Sequence, residues 1–228
     1  MQSEKITSLR RTEEKRRYDD ACGTAHGLEL IGERWALLVL RELMLGPRRF
    51  SDLKADLPGI SANVLTQRLM ELEARGLIEK KRLPPPANIR VYDATDWGRE
   101  AEPIVQALGR WAARSPQHDP TLPISGVSIL LSFRTMFDPV RANGLDATIA
   151  FIFDDDRYLV RIADGQLTAQ RGESEGADLT VTADPTALAA VVYGKAPYDL
   201  IEWSGDKVLL DRFVDLFELP PKAAVPAA

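Results

Sequence analysis

Asn63, Thr66 and Gln67 fall close together in the stretch GISANVLTQRLMELEARGLIEKKR, residues 59–82. Side chains of these types recognise rather than react: Asn and Gln pair bidentately with the adenine edge in a major groove, and a threonine methyl meets the thymine methyl. Ser61 just before them suits a helix N-cap. Arg49, Arg68, Lys80, Lys81, Arg82 and Arg90 are the cations expected to accompany them, and such cations hold phosphates and fix register. Exposed amides are ordinary on any helix. An unbroken Lys80-Lys81-Arg82 run directly after that helix, in a chain of formal net charge −5, is a sharper signal.

Other reactive types are sparse. Cys22 is the single cysteine, which excludes an intramolecular disulfide and fits a reducing compartment. A sensing thiol needs a nearby cation or helix N-terminus. Cys22 falls in the first turn of an expected helix, but Asp19 and Asp20 oppose a thiolate there. The histidines are His26 and His118, so no metal site is expected. Asp154, Asp155 and Asp156 lack the ligand spacing of a calcium loop and read as a hairpin turn. No G-x-S-x-G, Gly-rich phosphate loop or H-E-x-x-H occurs, so neither catalytic residues nor a cofactor are expected and an enzyme is disfavoured.

Charge is divided unevenly along the chain. Residues 1–116 hold 20 Lys/Arg against 17 Asp/Glu, a balance of +3, whereas residues 117–228 hold 9 against 17, a balance of −8. Only a basic surface gains from releasing phosphate counterions, so the first half is the candidate nucleic-acid binder. Arg10, Arg11, Lys15, Arg16 and Arg17, interleaved with Glu13 and Glu14, form a solvated or phosphate-touching arm. The N-terminus has no apolar signal core, and the run VSILLSF is far too short to span a bilayer, so a cytoplasmic protein is expected. The stretch RSPQHDPTLPISG, with three prolines, separates two apolar-periodic regions. The expected partition is residues 1–115, a linker at 116–126, and a second domain at 127–220.

The elements that must position the first-half residues follow from periodicity and punctuation. Helices are expected over about residues 20–31, 35–45, 50–57 with Ser51 as N-cap, and 61–76 closed by Gly76. Leu65, Leu69 and Leu72 share one face of the last of these, leaving Asn63, Thr66, Gln67 and Met70 roughly opposite. Strands are expected over residues 77–83 and 89–94 around the stiff PPPAN, then a helix from Thr95 in which Pro103 either makes a kink or starts a new helix. Helix, helix, short helix, helix and ribbon is the order of a winged helix-turn-helix of α+β class. The cationic run then belongs to the wing.

Residues 22–111 resemble the HxlR family of winged-helix regulators. The motifs that carry the resemblance are Cys22, the IGERW start at residues 31–35, Arg49-Phe50, Ile60-Ser61, Leu65-Thr66 and the YDATDWG junction at residues 92–98. Ala94 stands where many members have leucine. The resemblance implies a homodimer built from the first and last helices of the domain, two recognition helices on a palindromic operator in double-stranded DNA, and Cys22 as the candidate redox residue.

The second half reads as an apolar helix over about residues 127–137, alternating strands, and later helices at PTALAAVVYG and DKVLLDRFVDLFEL. With its Gly205-Asp206 phrase it resembles sterol carrier protein type 2 domains, an α/β (α+β) fold with a mainly antiparallel sheet. That resemblance implies a tunnel for a hydrophobic small molecule, with Phe137, Trp203 and Phe213 as lining residues. The combined expectation is a multidomain transcriptional regulator, a repressor, responsive to an apolar effector. The alternative is a thiol- or electrophile-responsive regulator whose second half is structural or dimerising.

Overall fold

The structure, a computed structural model, describes residues 18–224, so the arm carrying Arg10, Arg11, Lys15, Arg16 and Arg17 lies outside the described residues. Helix α1 (Gly23–Ile31) starts later than the sequence suggests because Asp20 Oδ1 accepts the Cys22 N–H at 2.9 Å, a local turn that competes with helix. Helix α2 (Ala36–Glu42) buries Ala36, Val39 and Leu40. Helix α3 (Phe50–Asp56) begins where expected, but its N-cap is Arg49, two residues before the expected Ser51. Asp52 Oδ2 accepts the Arg49 N–H at 3.3 Å, while the Ser51 hydroxyl donates to Asp52 instead.

Helix α4 (Ala62–Ala74) is capped by Ser61, whose Oγ accepts the Val64 N–H at 3.3 Å, and buries Leu65, Leu69 and Leu72. Gly76 follows at φ +74, the left-handed conformation that closes a helix at low cost. Strands β1 (Ile78–Arg82) and β2 (Arg90–Ala94) pair antiparallel, with Ile78 opposite Ala94 and Arg82 opposite Arg90. Arg48 adds a third rung: its N–H donates to the Tyr92 carbonyl at 2.9 Å and its carbonyl accepts the Tyr92 N–H at 2.8 Å. After Thr95 the expected helix divides into α5 (Asp96–Arg99) and α6 (Glu102–Ala113). Pro103 occupies the first turn of α6, where its missing N–H costs nothing, and so begins a helix rather than kinking one.

The second half contains α7 (Gly126–Met136), β3 (Ala147–Phe153), β4 (Asp156–Ala163), β5 (Gln166–Arg171), β6 (Leu179–Thr182), α8 (Pro185–Gly194), β7 (Glu202–Gly205) and α9 (Lys207–Val214). The sheet order is β5-β4-β3-β6-β7, with β3 and β6 parallel and the other pairs antiparallel. Strand β7 has no clear sequence signal, because it is a mostly exposed edge strand of four residues. Gly205 at its end has φ +123, and a Cβ there would lie 2.5 Å from the Asp178 carbonyl oxygen. Asp206 then caps α9 by accepting the Val208 N–H at 2.8 Å. The Gly-Asp phrase is therefore required by backbone geometry.

Buried apolar residues form one continuous cluster through both halves, from Ala36 to Phe217. Helices α6 and α7 pack together, tied by an ion pair between Arg134 and Glu102 at 2.9 Å. The segment between the halves is held as well: Lys222 Nζ donates to the carbonyls of Ala113, Ser115 and His118 at 3.1, 3.0 and 3.3 Å. The aromatic centre of the second half is Phe133, stacked on Phe217 at 4.6 Å between centroids and edge-on to Phe213 at 5.3 Å.

Candidate nucleic-acid interface

Helix α4 presents Ser61, Asn63, Thr66 and Gln67 to solvent. The Thr66 hydroxyl donates to the Ala62 carbonyl at 2.9 Å, which leaves its methyl outward, and Gln67 Nε2 donates to Glu71 Oε1 at 3.0 Å. That second contact orients the Gln67 amide and uses one of its two N–H donors, which leaves the other N–H and Oε1 for a base edge. Asn63 is the freest of the three, one turn nearer the helix start. Arg49 is exposed at the N-cap of α3.

Arg68 departs from the sequence expectation. It is 6% exposed and ion-paired with Glu71 and, at 3.4 Å, with Glu33. Its position beside Leu65 and Leu69 turns it toward α1 and α2 rather than outward, so it anchors the recognition helix and does not present itself to phosphate.

The wing concentrates cations unevenly. Lys80 is bound to Glu73 at 2.5 Å and lies over the Tyr92 ring, 5.6 Å from its centroid. Lys81 pairs with Glu79 at 2.8 Å and Asp93 at 3.1 Å, and hydrogen bonds to these two carboxylates raise its pKa. Arg82 and Arg90 sit directly opposite each other at the outer end of the ribbon, both exposed, with no carboxylate partner among the described residues. Like charges facing across a ladder are unfavourable in the free protein, and an intervening anion relieves them.

Arg48, beside Arg49 in sequence, has a different task. It is 4% exposed, and its guanidinium is ion-paired with both Asp56 of α3 and Asp156 of β4. Asp156 also receives Arg171 at 2.8 Å. Burial works against the Asp156 charge, yet Arg171 and Arg48 together hold its carboxyl below the ordinary range. Asp154 and Asp155 form the turn before it, with Asp154 at φ +50. A second buried polar junction is Glu42, whose carboxylate accepts the Ser125 hydroxyl at 2.9 Å and pairs with Arg41 at 2.6 Å. Nothing in the sequence separates Arg48 from Arg49, because their roles differ only through what the second half places against Arg48.

The three residues expected to line a tunnel do not come together as one. Phe213 is 1% exposed and locked in the ring cluster with Phe133 and Phe217, so it is core. Phe137 bridges to Phe217 through the main chain, and Trp203 is half-buried on edge strand β7. None of the three lines the cavities found between the halves. Cys22 is exposed at the start of α1, and the backbone N–H groups of Ala25 and Thr24 there lower its thiol pKa. Among the described residues no cluster of metal-ligating side chains occurs, and no helix is long and apolar enough to cross a membrane.

Comparison with known proteins divides at the same place. The model of the HxlR-like helix-turn-helix family matches residues 30–119, and that of the alkyl sulfatase C-terminal domain matches residues 129–223. The HTH-type transcriptional regulator YkvN of Bacillus subtilis is 42% identical over 94 residues, covering 40% of this chain and 77% of that protein. YodB, an HTH-type transcriptional regulator of the same organism, is 35% identical over 83 residues, 36% of this chain and 74% of that one. The structure of the reduced form of YodB aligns at 30% identity with a TM-score of 0.39, covering 44% of this chain and 100% of that chain. Similarity to YkvN at this level over most of that protein's length, together with the family model's match to residues 30–119, which include the recognition helix and wing, establishes that this chain belongs to the HxlR-like helix-turn-helix family.

Proposed function

We propose that this HxlR-type regulator binds a palindromic duplex operator as a homodimer and represses from it, and that its second half binds a hydrophobic small molecule that shifts DNA affinity. The observation that carries the DNA reading is the facing pair Arg82 and Arg90, unneutralised at the wing, beside the helix that exposes Asn63, Thr66 and Gln67. The helix supplies base-edge contacts and the wing supplies phosphate contacts. Dimerisation is supported by exposed apolar residues on α1 and α6, namely Leu28, Ile104, Leu108 and Trp111, the last 72% exposed. Ile104, Leu108 and Trp111 share one face of α6, and an exposed apolar face of this kind marks an interface. The partition into residues 1–115, 116–126 and 127–220, and the likeness of the second half to sterol carrier domains, belong to the same proposal.

Coupling between effector and DNA has a physical route. Arg48 holds the wing through its main chain and the second half through its side chain, so a displacement of the β3–β4 hairpin moves the wing. Coupling free energies of this kind are about 1–3 kcal/mol. The test is titration of the full chain with duplexes selected from a random pool: a selected palindrome bound in preference to scrambled duplex, with affinity falling steeply in salt, is the expected result. Indifference to duplex at low ionic strength would remove the reading.

A second reading rests on Cys22, which is exposed and has a lowered pKa. In it, an oxidant or electrophile controls DNA binding and the second half is structural. Cys22→Ser separates the two, because only the thiol reading loses its response.

A further inference from the structure

Between the halves lies a cavity of about 450 Å³, walled by α2, α6, α7 and α8 and by the connecting segment. Its size is within the range of roughly 300–1,000 Å³ typical of sites for small organic molecules. Buried Ser128, Leu131 and Ala189 form the inner wall, and exposed Leu38, Leu108 and Leu122 form the mouth. Most of the lining is aliphatic. The interior offers one distinctive polar feature, the hydroxyls of Ser132 and Tyr193, 2.7 Å apart and both half-buried.

Two hydroxyls bonded to each other use one proton between them, so whichever donates, the other keeps a donor for a further acceptor. Neither hydroxyl has another hydrogen-bond partner among the described residues. The charged lining group Arg41 is committed to Glu42 at 2.6 Å, and Asp119 is exposed at the mouth and accepts from Thr121 at 2.6 Å. His118, the remaining titratable lining residue, is exposed at the mouth beside Asp119, so among the described residues no buried unpaired charge faces the interior to compensate an ionised ligand, which burial would penalise heavily.

We propose that this cavity is the effector site and takes an uncharged apolar molecule carrying one carbonyl acceptor, received by the Ser132–Tyr193 hydroxyl pair. The proposal rests on the effector-responsive reading above and gives it a location other than the one the aromatic residues of the second half suggest. The site touches both halves: Leu37 and Leu38 come from α2 and Leu108 from α6, whose exposed face is the proposed dimer surface. A molecule wedged here changes how α6 sits on α7, and with it the separation of two recognition helices in a dimer.

The test uses the full chain and two probes of the same shape, 2-acetylnaphthalene with a carbonyl and 2-ethylnaphthalene without one, titrated by calorimetry. The expected result is saturable binding of one acetyl compound per chain, weakened about tenfold in the double variant Ser132→Ala/Tyr193→Phe, the loss of one hydrogen bond. Binding of the ethyl compound stays unchanged in that variant and also reports an intact fold. Ala189→Trp, which fills the inner wall, abolishes both. Failure of the wild type to bind the acetyl compound, or an equal effect of the double variant on both probes, overturns the assignment. Duplex affinity is measured in parallel. Acetyl-selective binding without any duplex binding leaves the cavity and removes the regulator reading, whereas duplex binding without acetyl selectivity removes the cavity and leaves the regulator.

Discussion

The guanidinium of Arg48 and the carboxylate of Asp156 are ion-paired across 108 positions of sequence, joining the base of the wing to the β3–β4 hairpin of the second half. Arg48 is nearly fully buried and is also the main-chain partner of Tyr92. One residue thus fixes the wing in two directions.

Removing Arg48 leaves Asp56 without its cation, while Asp156 keeps Arg171 and both carboxylates are partly exposed, so the cost stays below the value of about 3–5 kcal/mol for a fully buried pair. Arg48→Ala is therefore expected to lower the midpoint of urea unfolding markedly. Asp156→Asn, which keeps an acceptor for Arg171, is expected to be milder. A near-neutral Arg48→Ala would show that the junction contributes nothing to holding the halves together.

Gln67→Ala is expected to weaken binding to a selected duplex by about 1–3 kcal/mol with little effect on scrambled DNA. Arg68→Ala, by contrast, should act through stability, because Arg68 is buried against Glu71 and Glu33. Thermal melts alongside anisotropy titrations distinguish the two. Loss of sequence preference in Arg68→Ala at undiminished stability would return Arg68 to the reading surface.

For the wing, Arg82→Ala and Arg90→Ala should each reduce the slope of log affinity against log salt by about 1 and affect all sequences alike. Because the two cations face each other, either substitution should leave thermal stability unchanged or slightly raised. A destabilised protein with an unaltered salt slope would place the pair in the fold rather than on phosphate.

Glu42 gives a pH dependence of definite sign. Burial raises its carboxyl pKa, opposed by Arg41 and reinforced by Asp56. Its contribution to stability is complete below the unfolded value of about 4.3 and is lost as pH rises through the higher folded value. Wild type should therefore lose stability as pH rises above that unfolded value, whereas Glu42→Gln, which cannot ionise, should not show this loss. Parallel stability profiles for the two proteins would contradict the raised pKa.

Much of the candidate interface was legible from residue types and spacing. Ser61, the Leu65, Leu69 and Leu72 face and Gly76 define α4 locally, since capping, helical period and left-handed glycine each act within one or two turns. The wing run was equally plain. Arg68 was not, because a long cation one position from a leucine face can lie on either side of the boundary. Its burial is decided by Glu33 and Glu71, and Glu33 arrives from another element.

By itself, then, the sequence determined the local grammar of both halves: which segments are helices or strands, where they are capped, and which face of α4 meets solvent. Only the tertiary structure decided that Arg48 is a junction while Arg49 is free, that Phe213 is core, and that a cavity opens between α2, α6, α7 and α8. The reason is one of range. Capping and periodicity depend on neighbours within a few residues, whereas burial, ion pairing and enclosed volume depend on which distant segments the fold brings together.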